Sequence, residues 1–104
     1  MEQIIRGTTP TFVFTFPQDF DPTAASKVIV TIGSNGQAIL EKTDTDLVID
    51  ATSISVYLTQ AETLAMPYIA VSAQINFLYG DGSRVATEIM QIPWGSNLHN
   101  EVME

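Results

Sequence analysis

The chain has 104 residues, 45% of them hydrophobic, and no cysteine. That length suits one domain with a core of its own, and the missing cysteine excludes a disulfide scaffold, a thiol nucleophile and a cysteine-based zinc site. Twelve acidic residues against four basic ones set a net charge of -8, which argues against nucleic acid, whose binding needs basic residues to neutralise phosphates.

Residues 1–10 read as an extended N-terminal arm, with Gly7 and Pro10 as punctuation. Thr11 to Pro17 follows with Phe12, Phe14 and Phe16 on one face, a period-2 strand signal. Gln18 to Ser26 is a loop whose Asp19 and Asp21 fit turn chemistry better than a calcium loop, since the later ligands are missing. Lys27 to Ile32 is a β-branched strand with Val28, Val30 and Ile32 facing inward. Gly33-Ser34-Asn35-Gly36 is a hairpin turn, with Asn-Gly supplying the positive φ that such a turn needs. Gln37 to Lys42 returns as a strand, residues 43–46 turn, and Leu47-Val48-Ile49 is a short strand.

Ser53 to Leu58 alternates, with Ile54, Val56 and Leu58 inward. Thr59-Gln60-Ala61-Glu62-Thr63-Leu64 then breaks the β pattern. Thr59 and Glu62 have the spacing of a capping box, Leu64 is the expected inward anchor, and Pro67 forbids continuation. Tyr68 to Tyr79 is the longest predicted strand, with Ile69, Val71, Ala73, Ile75 and Phe77 on one face. Gly80-Asp81-Gly82-Ser83 turns into a last strand, Arg84 to Ile92, and residues 96–104 form a polar tail.

Seven strands, A to G in chain order, with turns roughly every ten residues predict an all-β, antiparallel, Ig-like β-sandwich spanning residues 1–104 as one domain. The helical turn falls between strands E and F, where such folds cross between sheets. The cysteine pair and strand C tryptophan of antibody domains are absent.

Catalytic chemistry needs converging groups, and none is evident. His99 is the single histidine and stands in the polar tail. Asp44, Asp46 and Asp50 flank a short strand, where a solvated turn explains them better than a glycosidase pair. The glycine-containing turns lie between strands, and a phosphate loop needs a helix after its glycines. No catalytic, cofactor or metal residue is expected. The four cations, Arg6, Lys27, Lys42 and Arg84, are dispersed along the sequence. No apolar run approaches the roughly 20 residues that span a bilayer, and the first residues lack the features of a signal peptide.

The candidates left for an interaction surface are Ile4, Ile5 and Arg6 in the arm and the aromatics Tyr57, Tyr68, Tyr79 and Trp94. Aromatic residues serve core packing, protein contacts or a sugar platform. The arm and the tail either cover their own sheet or add to a neighbour's.

The segments Arg6-Gly7-Thr8-Thr9-Pro10-Thr11-Phe12-Val13-Phe14, Leu58-Thr59-Gln60-Ala61-Glu62-Thr63-Leu64, Gly80-Asp81-Gly82 and Asn97-Leu98-His99-Asn100-Glu101-Val102 resemble a family of small proteins encoded in phages and prophages of Gram-positive gut bacteria. More distantly, the layout is similar to the Ig-like N-terminal domain of phage upper baseplate proteins. The resemblance implies a non-enzymatic, virion-associated role in a tail or baseplate, made in the bacterial cytoplasm. The implied partners are other virion proteins or further copies of this chain, while the charge and the missing apolar span speak against nucleic acid and membrane. The alternative is a carbohydrate-binding module that meets a cell-surface glycan. The resemblance brings no catalytic residue.

Overall fold

Alternating apolar and polar side chains decide most of the architecture, because successive side chains of a strand point to opposite faces. The computed structural model describes residues 3–67 and 70–104. Its strands are β1 (Ile4–Ile5), β2 (Thr11–Thr15), β3 (Lys27–Ser34), β4 (Gln37–Thr43), β5 (Leu47–Ile49), β6 (Ser53–Tyr57), β7 (Val71–Leu78), β8 (Arg84–Ala86), β9 (Met90–Gln91) and β10 (Trp94–Gly95). One short helix, α1 (Gln60–Leu64), joins β6 to β7.

Two antiparallel sheets share one apolar core in a β-sandwich-like arrangement. One runs in the order β2-β6-β5, the other β4-β3-β7-β8, with β9 also on β7. The first sheet turns Phe12, Phe14, Ile54 and Val56 inward; the second contributes Val28, Val30, Ile32, Val71, Ala73, Ile75 and Phe77. Fully burying such a side chain is worth about 1.5–3 kcal/mol, so this two-sided layer dominates stability. Chain segments cross between the sheets after β2, after β4 and through α1.

The strand order corrects the Ig-like expectation in one respect. In the immunoglobulin arrangement strand B lies beside A and E. Here its equivalent, β3, sits between β4 and β7, and β2 pairs directly with β6. The Asn35-Gly36 pair causes the first part of this. Both residues have positive φ, 53° and 78°, and Ser34 pairs with Gln37, which closes a two-residue hairpin and holds β3 and β4 in the same sheet.

Three other expectations shift. The last long strand is broken into β8 and β9. Thr87 Oγ1 accepts the Ile75 N–H, while the Thr87 carbonyl is taken by the Gln74 side-chain amide. The Thr87 N–H still bonds the Ile75 carbonyl at 2.9 Å, but side chains take over the return bond, and the pairing with β7 slips by one residue across residues 87–89. The strand predicted from Tyr68 begins at Val71. Tyr68 and Ile69 lie outside the described residues, and Ala70 has φ +61°, which is not strand geometry. In the loop before β3, Asp21 caps a 3₁₀ turn at Pro22–Ala24, accepting from Thr23 N–H at 2.9 Å. The same loop folds Phe20 against Phe16 and Phe77, at ring distances of 5.2 and 5.0 Å, and so extends the core at that end.

The capping box forms. The Thr59 hydroxyl accepts from Glu62 N–H at 3.2 Å, and Glu62 Oε1 accepts from Thr59 N–H at 2.8 Å. The anchor is not the expected one. Leu64 is only half-buried, whereas Thr63 and Met66 are fully buried. Thr59→Ala removes the hydroxyl half of the box and should cost roughly 0.5–2 kcal/mol, read as a lower midpoint in denaturant unfolding. An unchanged midpoint would show that α1 does not depend on the box.

Candidate functional site

A helix leaves its first N–H and last C=O groups unpaired, and α1 has only five residues. Its partners come from three distant parts of the chain. At its N-terminal end, Glu62 also receives the Lys42 ammonium, at 2.8 Å to Oε2 and 2.9 Å to Oε1. At its C-terminal end, Arg6 arrives from the N-terminal arm. Its Nε donates to the Met66 carbonyl at 3.0 Å, Nη2 to the Leu64 carbonyl and Nη1 to Asn100 Oδ1 at 2.7 Å. The planar, multiply donating guanidinium suits three acceptors at once, which an ammonium would not.

The centre of this cluster is the buried Thr63 hydroxyl. It accepts the Gly7 N–H at 3.0 Å and donates to the Thr8 carbonyl at 2.8 Å. Gly7 is the third residue of a tight turn from Ile5 to Thr8, with φ +88°, the left-handed geometry that a type II turn gives to glycine. A β-carbon there would also stand 3.3 Å from Leu64 Cδ2. From the C-terminal tail, Asn97 Nδ2 donates to the Arg6 carbonyl at 2.9 Å. The Gln60 amide then brackets Met103, donating to its carbonyl at 3.2 Å and accepting its N–H at 2.8 Å.

Beside the cluster, β1 pairs in parallel with β10, with Ile4 opposite Trp94 and Ile5 opposite Gly95. The strands approach closely at Gly95, where a β-carbon would come within 2.9 Å of Ile5 Cδ1 and Gln3 Nε2. Both chain ends therefore meet their own fold. The segments around Arg6, Thr59–Leu64 and Asn97–Met103 come together here. They act as one clasp around α1.

The expected surface residues separate into different settings. Ile4 and Trp94 pack against the core, Ile5 is exposed at the rim and Arg6 is spent on α1. Tyr57 is exposed at the end of β6, opposite Thr11. Tyr79 is half-buried just past β7, whereas the segment before Trp94 bonds to Val71 at the start of β7. That strand has eight residues, so roughly 23 Å separates its ends. Tyr79 and Trp94 therefore do not share one flat sugar platform.

The charges that looked dispersed in sequence are partly gathered in space. Lys27, Leu78 and Arg84 stand side by side across β3, β7 and β8. They line a shallow groove of about 320 Å³ with Ile29, Thr31, Glu41 and Asn76, and Arg84 Nε donates to Asn76 Oδ1 at 3.1 Å. The aspartates near β5 hold backbone: Asp44 Oδ1 accepts Val28 N–H at 2.7 Å, and Asp46 Oδ2 accepts Thr43 N–H at 3.4 Å. Among the described residues no group of three or more His, Cys, Asp or Glu is placed to hold a metal ion, and no helix is long and apolar enough to cross a membrane.

The most distinctive surface is the outer face of the three-stranded sheet. Register places Thr11, Val13 and Thr15 beside Tyr57, Ser55 and Ser53, with Val48 next to Ser55. None of these seven residues is charged, in a chain of net charge -8. Val13, Tyr57 and Val48 are 56%, 50% and 63% exposed. Sequence reasoning found Tyr57 but missed Val13 and Val48. The β2 pattern marks Val13 as outward-facing, but only the sheet order shows that its outward neighbours are also uncharged.

Comparisons with protein-family models, curated proteins and solved structures gave no match.

Electrostatics enters the clasp through Glu62. Burial raises its carboxyl pKa, but the Lys42 ammonium and the Thr59 N–H outweigh that and hold it below its ordinary value. A lowered folded pKa stabilises above the unfolded value, about 4.3 for glutamate, and the benefit is lost as pH falls through the folded value. The stability gap between wild type and Glu62→Gln should therefore be constant near neutrality and narrow as pH drops below about 4.3. Thermal melts across that range check this; a gap unchanged in acid would place the pair outside the stability balance.

Proposed function

We propose that this chain is a non-enzymatic structural or interaction domain of a phage particle, associated with the tail or baseplate and working through protein–protein contacts. One observation carries the contact part of this reading: the uncharged, part-apolar outer face built from Val13, Val48, Tyr57 and the flanking Thr and Ser residues. Interface centres are depleted in charge and enriched in aromatic residues, and contiguous exposed apolar surface marks interaction sites. The acidic remainder of the surface keeps the domain dispersed until that face is covered.

The particle assignment rests on the sequence resemblance. Its segments around Arg6, Thr63 and Asn97 converge on the clasp, so on this reading the resemblance reflects a way of closing the fold. The Ig-like description fits the crossover through α1 and the pairing of β5 with β6, but not the places of β2 and β3.

The test is incorporation. A tagged chain produced during phage growth should co-sediment with particles. Val48→Asp and Tyr57→Asp should reduce recovery at least tenfold while shifting stability by no more than about 0.5 kcal/mol, as surface substitutions do. Particles that lack the chain, or recovery unaffected by both changes, would contradict this reading.

A further inference from the structure

We propose that β2 is a self-pairing edge, through which two copies of this chain join their three-stranded sheets antiparallel into one sheet of six strands. The proposal deepens the protein-contact reading above and names a partner, a second copy of the same chain.

β2 is an outer strand of its sheet, with β6 on one side and, among the described residues, no strand on the other. Its hydrogen-bonding phase is set by its flanks. Leu58 N–H donates to the Pro10 carbonyl and Phe16 N–H to the Thr52 carbonyl. In an antiparallel pair the bonded positions alternate, so Phe12 and Phe14 direct their backbone groups to Val56 and Ile54 on β6. Thr11, Val13 and Thr15 then direct their N–H and C=O groups to the open edge. An edge of unpaired backbone groups is a template for another strand.

The other edges of the two sheets are guarded. β4 carries Glu41 and Lys42 and lies beside a bulge at Ile32/Gly33. β5 has three residues and is followed by Asp50. The β8–β9 edge is broken by the one-residue slip. β2 has no charge, no proline and no bulge within Thr11–Thr15.

The occupant follows from the sequence of the edge. Thr11-Phe12-Val13-Phe14-Thr15 reads the same in both directions. An antiparallel second copy centred on Val13 therefore sets Val13 against Val13 and Thr11 against Thr15. Those are the residues whose backbone groups point outward on both copies, so every open donor finds an open acceptor. A two-fold contact needs this kind of self-complementarity. The pairing places the cores on one side and the two uncharged faces on the other as one continuous surface. Charge supports the same occupant. Two chains of net charge -8 repel, and contact along an uncharged edge and face is a way for copies to meet without opposing acidic groups. A groove of about 610 Å³ between β1 and β2, lined by Gln3, Ile4, Ile5, Thr8 and the start of β2, leaves room for the far end of the incoming strand.

Light scattering of the isolated chain across a concentration series tests this. The mass should rise from 11.4 kDa toward twice that value, and rise further at high salt, which screens the repulsion. Val13→Lys sets like charges on the two-fold axis and should hold the mass at the monomer value. Because the chain has no cysteine, Val13→Cys gives an independent check. Hydrogen-bonded antiparallel residues have Cα atoms about 5.5 Å apart, within disulfide reach, so oxidation should link two copies. Val48→Cys, equally exposed but two strands away, should not link. A monomer at every concentration, or a dimer indifferent to Val13→Lys, overturns the proposal. Co-sedimentation with particles is read separately, so failure here would not be mistaken for failure of the virion reading.

Discussion

A five-residue helix cannot satisfy its own ends, and this constraint organises the clasp. Isolated helices of this length are unstable in water, and α1 is held by groups brought from outside it. Thr59, Glu62 and Lys42 hold its start, Arg6 takes its final carbonyls, and the Thr63 hydroxyl joins it to the turn at Gly7. The hydroxyl is fully buried and used both as donor and as acceptor, the condition under which a buried polar group stabilises and does not cost. Since α1 carries the chain from one sheet to the other, the sandwich and the chain ends depend on the same few bonds.

That dependence shapes what remains for partners. The arm pairs with β10 and caps α1, and the tail is pinned by Asn97 and by Gln60. Among the described residues, the β2 edge and the face behind it combine open backbone groups, exposed apolar side chains and no charge. The acidic character noted in the composition has a complementary role: it sets this uncharged face off by contrast.

The layers were legible in the sequence because their signal is local. Alternation at Phe12 and Phe14, at Val28, Val30 and Ile32, and at Ile54, Val56 and Leu58 identified strands and core together. Asn35-Gly36 and Thr59–Glu62 are likewise short motifs with one dominant geometry. The missed features are long-range. That β3 sits beside β7 depends on register between residues 37 to 51 positions apart, from Ser34 opposite Val71 to Lys27 opposite Leu78. Gly7 and Thr63 meet across 56 positions, and nothing in either neighbourhood announces it. The split between β8 and β9 also escaped, because side-chain bonds of Thr87 and Gln74 take over one side of the ladder there. For the interaction face, each strand shows only its own outward residues, and absence of charge becomes visible only when Val13, Ser55 and Val48 are placed in one row.

The central claim is that arm, α1 and tail form one cooperative unit. Native-state hydrogen exchange tests it on three amides: Gly7, bonded to Thr63 Oγ1; Met103, bonded to Gln60 Oε1; and Ala65, bonded to the Ala61 carbonyl. In the wild type all three should open with a common free energy. Arg6→Ala should lower all three together by about 1.5–3 kcal/mol, the range for hydrogen bonds to a charged group. Free exchange of Gly7 and Met103 beside a protected Ala65, or an effect of Arg6→Ala confined to the arm, would contradict it.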